Sequence, residues 1–222
     1  MKYTKEITDS FLIKYKELET LKENDYEKFA YLNKHFKSEL DLFRRMRNEL
    51  SHNELDGFYP FAVSESSLIL INKLLNLVEE KVFAKAKKEN EIIFVKQNNT
   101  LKEVIYLMSK YNYSFLPIID NNGSVIGIVS SDTIIDIINQ QNTFSLNEND
   151  TIEKYINLFT LKNNDNEFYI FISKNTYLYA LEEILEKYQN EHRKLGLILI
   201  THNGFPSEKL IGIMTPWDLI KK

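Results

Sequence analysis

The chain has 222 residues and a formal net charge of −4, and it contains no cysteine. This composition excludes a disulfide framework and a thiolate zinc site, and the net negative charge restricts any nucleic-acid surface to a local basic patch. Because no apolar run approaches the roughly 18 residues of a membrane span, and no signal-peptide core follows Met1, we expect a cytoplasmic protein without a membrane partner.

The first 86 residues have the apolar periodicity of helices. One set recurs every three or four residues, and a second stripe recurs every seven; the sets are Ile7, Phe11, Tyr15 and Leu18, and Phe29, Phe36, Phe43 and Leu50. They predict two amphipathic helices, and a third is expected after Gly57 and Pro60 with Ser64 as its N-cap. The seven-residue stripe is long enough to supply a helix-pair interface, which predicts a homodimer.

After residue 86, short strands alternate with helices, and each part of the pattern occurs twice. Thr100 and Glu103 match the capping box of a helix start, and residues 120–124, DNNGS, match a turn between two strands. Each copy predicts a β-α-β-β-α unit, with the first repeat at about 88–140 and the second at about 165–222. The expected class is therefore α+β, with an all-α helical bundle over 1–86 followed by a tandem repeat over 87–222.

The end of the second repeat passes from a strand into a helix through the sequence GIMTPWD, residues 212–218. Thr215 can be the N-cap, Pro216 the first helical residue and Asp218 the third, which is an acidic capping box. This chemistry stabilises a helix start and by itself requires no ligand.

The repeat resembles a tandem pair of cystathionine β-synthase (CBS) domains over roughly residues 88–222. Residues 212–218 match the family's motif of glycine, two apolar residues, Ser or Thr, two further residues and Asp, and residues 116–120, LPIID, match its proline-containing strand. The resemblance implies an adenine nucleotide, such as AMP, ADP, ATP or a related adenosyl ligand, bound in a cleft between the repeats without a metal. The binding residues that it implies are Gly212, Ile213, Thr215, Asp218, Ser130 and Pro117.

The chemistry of these residues suits such a ligand. The carboxylate of Asp218 can accept both ribose hydroxyls, and a helix start at Thr215 favours phosphate. Adenine would lie against the apolar strand near Ile213. In the first repeat Thr133 occupies the aspartate position and Asp132 precedes it by one residue, so we expect a good site in the second repeat and a weak or empty one in the first.

Three of the four arginines are Arg44, Arg45 and Arg47. The segment from Arg47 through Asn48 to His52 resembles the motif of helical HEPN domains, whose active members cut RNA without metal. In that case His52 would transfer protons, Arg47 would bind phosphate and Asn48 would orient the imidazole. Alternatively, Arg47 pairs with Glu49, Glu54 or a partner's carboxylate, and His52 closes the helix end.

Three functions follow from these motifs. In the first, the repeats sense an adenine nucleotide and signal to the helical domain. In the second, the chain is a nucleotide-gated ribonuclease with RNA as a partner. In the third, both motifs are structural and the chain is a dimerisation scaffold. The sequence does not choose among AMP, ADP, ATP, adenosylmethionine and a cyclic dinucleotide.

Overall fold

The computed structural model describes residues 4–52, 59–140, 147, 149–161, 167–189 and 194–220. The helices are α1 (Lys5–Asn24), α2 (Tyr26–His35), α3 (Lys37–His52), α4 (Glu65–Glu79), α5 (Val82–Lys85), α6 (Leu101–Tyr111), α7 (Ser131–Gln140), α8 (Ile156–Phe159), α9 (Leu178–Gln189) and α10 (Pro216–Ile220). The strands are β1 (Lys87–Lys88), β2 (Phe115–Ile119), β3 (Val125–Ser130), β4 (Glu167–Ser173), β5 (Lys194–Thr201) and β6 (Gly212–Met214), and short 3-10 turns span Glu89–Glu91 and Ile152–Tyr155.

The chain divides into two compact units. The helical unit consists of Met1–Glu80 together with Tyr177–Glu182, and the mixed unit consists of Lys81–Thr176 and Glu183–Lys222. The domain boundary after residue 86 stays a prediction.

The helical unit contains α1 to α4, and its second predicted helix is in fact two helices that meet at Phe36. The backbone of Phe36 has φ −134° and ψ 34°, outside the helical region. Hydrogen bonds nevertheless span the junction, because the N–H of Phe36 donates to Leu32 and the N–H of Leu40 donates to the carbonyl of Phe36. Phe36 therefore ends α2 with its N–H and begins α3 with its carbonyl.

The seven-residue stripe faces the core of its own unit. Phe43 and Leu50 are completely buried, and Phe29 and Phe36 pack partly buried against the same cluster. The Phe11 and Phe43 rings meet edge to face, with centroids 5.7 Å apart. The stripe therefore packs within one chain, and the homodimer stays a prediction.

The segment Tyr177–Glu182 belongs to the helical unit although it follows the first half of the second repeat. Tyr179 is 5% exposed in the helical core, and its ring lies 5.2 Å from that of Tyr31 between centroids. The hydroxyl of Tyr31 also donates a hydrogen bond to Glu182. The first turns of α9 thus complete the core of this unit.

Lys28 is a buried charge in the helical unit. Its side chain is 6% exposed, and its ammonium lies 2.7 Å from Glu79, 3.3 Å from Asp25 and 4.2 Å from the centroid of the Tyr177 ring. Burial alone lowers the pKa of Lys28, but its hydrogen bonds with Glu79 and Asp25 raise the pKa by more, so the net shift is upward. The ammonium therefore stays charged inside the unit.

The mixed unit contains two sheets. The four-stranded sheet has the order β1-β6-β5-β4, in which β4 and β5 are parallel and the other pairs are antiparallel. Strands β2 and β3 form an antiparallel hairpin, and Val95 joins it through a parallel bridge to Ile118. The second repeat follows the predicted order, as β4-α9-β5-β6-α10.

The first strand predicted for the first repeat is reduced to that single bridge at Val95. The chain turns directly afterwards, because the N–H of Lys96 donates to the side chain of Asn99 at 2.8 Å and the N–H of Asn99 donates to the carbonyl of Lys96. This turn leads into α6, whose start has the predicted capping box between Thr100 and Glu103.

Apolar side chains from both repeats share one core in the mixed unit. Its fully or nearly buried members are Ile92, Ile119, Val125, Ile128, Leu197, Leu199, Leu210 and Ile213. The predicted turn at residues 120–124 is also present, with Gly123 at φ 86° and the carboxylate of Asp120 accepting from the N–H groups of Asn122 and Ser124. Because Ile128 of β3 and Ile213 of β6 both belong to this core, the two strands are held in the same unit.

Candidate ligand-binding cleft

A cleft of about 460 Å³ opens between the two repeats of the mixed unit. The first repeat and the segment before it contribute residues 87, 91, 93 and 112–115, and the second repeat contributes residues 195–197 and 213–218. Small-molecule sites have volumes of about 300 to 1,000 Å³, so the cleft has the size of a ligand site. Of the predicted binding residues, Ile213, Thr215 and Asp218 line it.

The junction of β6 and α10 places the carboxylate of Asp218 at the cleft. The Oδ2 atom of Asp218 accepts from the backbone N–H of Thr215 at 2.8 Å and from the Thr215 hydroxyl at 2.9 Å. The first of these bonds is the one that the capping box predicts for the acidic residue. The hydroxyl of Thr215 turns towards the carboxylate, and the pair forms a small polar wall at the start of α10.

Strand β6 presents alternate residues to opposite faces of the sheet. Ile213 lines the cleft, whereas Gly212 faces Phe83, where an added Cβ atom would lie 3.0 Å from the ring. Gly212 therefore allows Phe83 to approach the strand closely, and it contributes to the site through backbone packing.

Lys87 and Tyr113 form a second polar pair in the lining of the cleft. The ammonium of Lys87 donates to the Tyr113 hydroxyl at 2.6 Å and lies 4.6 Å from the centroid of the ring. Asn112, which ends α6 in the left-handed conformation with φ 54°, sets the position of Tyr113, because the Tyr113 N–H then bonds to the carbonyl of Met108.

The apolar part of the cleft depends on Gly196 in β5. A Cβ atom at this position would lie 2.7 Å from the Phe115 ring, so glycine lets that ring pack directly on the strand. Leu195 and Leu197 also line the cleft, as does Trp217, which is 73% exposed. The lining thus combines apolar side chains with two polar pairs, Thr215–Asp218 and Lys87–Tyr113.

The corresponding junction in the first repeat is closed. Ser130 is 1% exposed, and its hydroxyl accepts from the N–H of Thr133 at 3.1 Å and lies 2.9 Å from the Thr133 hydroxyl. Pro117 is buried in β2, where its carbonyl accepts from the N–H of Val95. Neither Ser130 nor Pro117 lines the cleft, and the threonine at the aspartate position completes a helix cap instead.

The residues of the HEPN-like motif lie in the helical unit. The guanidinium of Arg47 lies 3.2 Å from the Asn48 side-chain oxygen, 3.5 Å from Glu19 and 5.9 Å from the centroid of the Tyr15 ring. His52 is the last residue of α3, and its side chain lies outside the described residues, as does Glu54. The observed contacts connect Arg47 to α1, and the RNA-cleavage role stays a prediction.

Within the described ranges, no group of three or more His, Cys, Asp or Glu side chains is placed to hold a metal ion. No helix in the described part of the chain combines the length and apolar character needed to cross a membrane.

Sequence reasoning identified the second-repeat motif but missed several lining residues. Lys87 belongs to a charged run, KAKKENE, that resembles a solvated linker. Tyr113 lies two residues before an ordinary apolar strand, β2, and Phe115 is the first residue of that strand. These side chains meet in the cleft because β1 pairs with β6 and because Asn112 ends α6 in the left-handed conformation. Of the lining residues that were not predicted, Met214, Pro216 and Trp217 lie inside the motif of residues 212–218 and so carried a local signal.

Comparison with known families gave a match for the first repeat. Residues 88–140 match the CBS domain family model, which confirms the CBS prediction there. Over 53 residues the chain is also 30% identical to the magnesium transporter MgtE of Thermus thermophilus, in a match that covers 24% of this chain and 12% of the transporter. The chain thus spans about an eighth of the length of that relative.

Comparison with solved structures gave matches of low sequence identity. A structure of CbpB in complex with c-di-AMP is 10% identical, with a TM-score of 0.49, and the match covers 68% of this chain and 89% of that one. A structure of CBSX2 in complex with AMP is 18% identical, with a TM-score of 0.45 and coverages of 64% and 93%. The CBS domains of a Streptococcus pneumoniae transcriptional regulator are 17% identical, with a TM-score of 0.43 and coverages of 64% and 98%.

Proposed function

We propose that this chain, whose residues 88–140 form a CBS domain, is a regulatory protein that binds an adenine nucleotide in the cleft between its two repeats. The observation that carries the proposal is the position of Asp218, which lines a cleft of about 460 Å³ together with the apolar residues Phe115, Leu195 and Leu197. A nucleotide needs polar groups for its ribose and an apolar surface for its base, close to each other.

Each part of the nucleotide has a complementary part of the cleft. The two ribose hydroxyls are adjacent donors, and the Asp218 carboxylate can accept from both. The purine is a flat apolar ring, and it fits the surface built by Phe115, Leu195 and Leu197. The phosphate requires donors, which the ammonium of Lys87 supplies.

The regulatory part of the proposal rests on the path of the chain. Residues up to Glu182 in α9 belong to the helical unit, whereas Glu183 and the following residues belong to the mixed unit. A nucleotide that binds one conformation of the second repeat more tightly would shift the equilibrium between conformations of α9. The helical unit would respond through Tyr179 and Glu182. We infer that nucleotide binding in the mixed unit is signalled to the helical unit.

Isothermal titration with AMP, ADP, ATP, adenosylmethionine and c-di-AMP tests the binding part. Wild type is expected to bind at least one of these ligands, and Asp218→Asn is expected to weaken that binding strongly, because it removes the charge while keeping the shape. Asp132→Asn, the matched exposed acid at the start of α7, is expected to leave affinity unchanged. Equal affinities for wild type and Asp218→Asn would refute this site.

Hydrogen exchange of the full chain with and without that ligand tests the regulatory part. Amides of α2 and of the first turns of α9 are expected to exchange more slowly when the nucleotide is bound. Protection confined to residues of the mixed unit would leave the protein as a nucleotide binder that does not signal to the helical unit.

A further inference from the structure

The cleft contains an ammonium–phenol pair that lies outside both sequence motifs of the repeats. The pair consists of Lys87, at the start of β1, and Tyr113, between α6 and β2, and both residues line the cleft. Their side chains meet at 2.6 Å between the Lys87 Nζ atom and the Tyr113 hydroxyl. Nothing in the packing of the core requires this contact, since Lys87 is exposed.

The sheet directs Lys87 into the cleft. Lys87 and Ile213 are paired directly across strands β1 and β6, so their side chains leave the same face of the sheet. That face is the one that carries Ile213 into the cleft, two residues before Thr215. Lys87 therefore reaches the polar end of the same cavity from the neighbouring strand.

Tyr113 is held in place by its own local structure. Its N–H bonds to the carbonyl of Met108 at the end of α6, and its ring stacks on the ring of Tyr111, with centroids 5.8 Å apart and an interplanar angle of 25°. The phenol is therefore positioned before any ligand arrives, which lowers the cost of ordering it on binding.

Together the two groups offer converging donors to an anion. An ammonium has three N–H donors, and a phenol that accepts from it directs its own O–H away from it. Among the described residues, no carboxylate lies within ion-pair distance of the Lys87 ammonium. Glu91, which also lines the cleft, accepts from the backbone N–H of Lys88 at 3.0 Å. The charge of Lys87 thus faces the cavity.

We propose that Lys87 and Tyr113 form the anion subsite that holds the phosphate of the nucleotide and makes the cleft select a nucleoside monophosphate. This inference rests on the proposed nucleotide binding. The described lining residues contain one cation, Lys87, and two carboxylates, Glu91 and Asp218. One phosphate group matches that single cation, whereas each further phosphate of ADP or ATP adds negative charge beside the carboxylates.

The experiment compares AMP, adenosine and ATP by isothermal titration of the full chain. Lys87→Met keeps most of the side-chain length and removes the charge, so AMP is expected to bind roughly 10- to 100-fold more weakly, the range for a lost hydrogen bond to a charged group. Adenosine has no phosphate, and its affinity is expected to change less than about twofold. Wild type is expected to bind AMP more tightly than ATP.

Two further variants keep the result interpretable. Tyr113→Phe removes one donor and is expected to weaken AMP roughly fivefold without affecting adenosine. Lys110→Met removes a comparable lysine, which lies over the rings of Tyr106 and Tyr111 outside the cleft, and it is expected to leave both affinities unchanged. Melting curves of the free proteins check that each variant is folded.

The outcomes separate the two proposals. If wild type binds adenosine and AMP through Asp218 but Lys87→Met leaves AMP affinity intact, or weakens AMP and adenosine equally, the anion subsite is wrong and the nucleotide site stands. Tighter binding of ATP than of AMP overturns the selection for a monophosphate. If wild type binds neither adenosine nor any nucleotide, the proposed function and the anion subsite both fail.

Discussion

The carboxylate of Asp218 accepts hydrogen bonds from the backbone N–H and from the hydroxyl of Thr215, at 2.8 and 2.9 Å. Both bonds end on the same oxygen, Oδ2, at the edge of the cleft. A carboxylate has about four lone-pair sites on two oxygens, so capping the helix and accepting from a ribose are compatible tasks for one side chain. The structural and functional interpretations of this motif therefore do not exclude each other.

The closed junction of the first repeat predicts that Ser130 stabilises the protein without binding the nucleotide. Ser130→Ala removes a buried cap and leaves the polar groups of Thr133 without their partner, so we expect a loss of about 1 to 3 kcal/mol in the free energy of unfolding. Urea denaturation measures this loss, and titration is expected to give one nucleotide per chain for wild type and variant alike. Ser131→Ala is the exposed control.

A stoichiometry of two nucleotides per chain that fell to one in Ser130→Ala would contradict this account of the first repeat. It would mean that the buried cap opens to admit a ligand.

The contacts of Arg47 predict a packing role in the helical unit. Its ion pair with Glu19 is partly exposed, so Arg47→Ala is expected to lower the free energy of unfolding by only about 0.5 to 1 kcal/mol. Arg44→Ala, at a more exposed ion pair with Asp41, is the control and is expected to cost less.

The ribonuclease alternative makes a different prediction for the same residue. It requires that wild type cleave single-stranded RNA without metal, and that Arg47→Ala and His52→Ala abolish cleavage while both variants remain folded. A metal-free cleavage assay on the three proteins decides the matter. If no protein cleaves RNA, the interpretation of Arg47 as a packing residue is retained.

The burial of Tyr179 predicts that the helical unit depends on residues of α9. Tyr179→Ala removes a ring that is 5% exposed and packed on Tyr31, so we expect a loss of about 3 to 5 kcal/mol in the free energy of unfolding. Tyr106→Ala, at a ring that is 60% exposed, is expected to change it by less than about 0.5 kcal/mol. A loss below about 1 kcal/mol for Tyr179→Ala would contradict the inclusion of Tyr177–Glu182 in the helical core.

Glu208 predicts a pH dependence of stability at the hairpin that precedes β6. Hydrogen bonds to its carboxylate, chiefly from the backbone N–H of Asn203 at 2.7 Å, lower the pKa of Glu208 to about 2. Because the pKa is lower in the folded protein, the stabilisation is fully present above a pH of about 4.5 and is lost as the pH falls towards 2.

The difference in unfolding free energy between wild type and Glu208→Gln therefore should be constant near neutral pH and shrink on acidification. Denaturant titrations at several pH values measure it, and Glu153→Gln removes the same charge at another exposed position. A difference that stays constant down to pH 2 would show that the Glu208 carboxylate is not held by these bonds.

Local patterns accounted for much of the fold. The capping box of Thr100 and Glu103, the cap at Ser64 and the turn at Gly123 are set by neighbouring residues, and each is present. The break at Phe36 was missed because neither glycine nor proline marks it, and an apolar spacing of seven residues runs through it unchanged.

The candidate site, like the fold, was predicted only where local patterns encode it. Thr215 and Asp218 were found because their spacing carries chemistry along the chain. Lys87 and Tyr113 were missed because their meeting depends on the pairing of β1 with β6, which no local pattern encodes. Tyr179 was assigned to the repeat for a similar reason, since its place in the helical core depends on contacts that are distant in sequence.

The most direct test of the nucleotide site is the melting temperature of wild type and Asp218→Ala, each measured with and without AMP and the other adenine ligands. A ligand that binds only the folded state at 100 times its Kd adds about 2.7 kcal/mol, which is easily visible for a chain of this size. We predict a clear rise for wild type that vanishes in Asp218→Ala, while the free variant loses only the roughly 1 kcal/mol of a helix cap. A larger loss in the free variant, with an undiminished ligand-induced rise, would contradict the account and leave the junction purely structural.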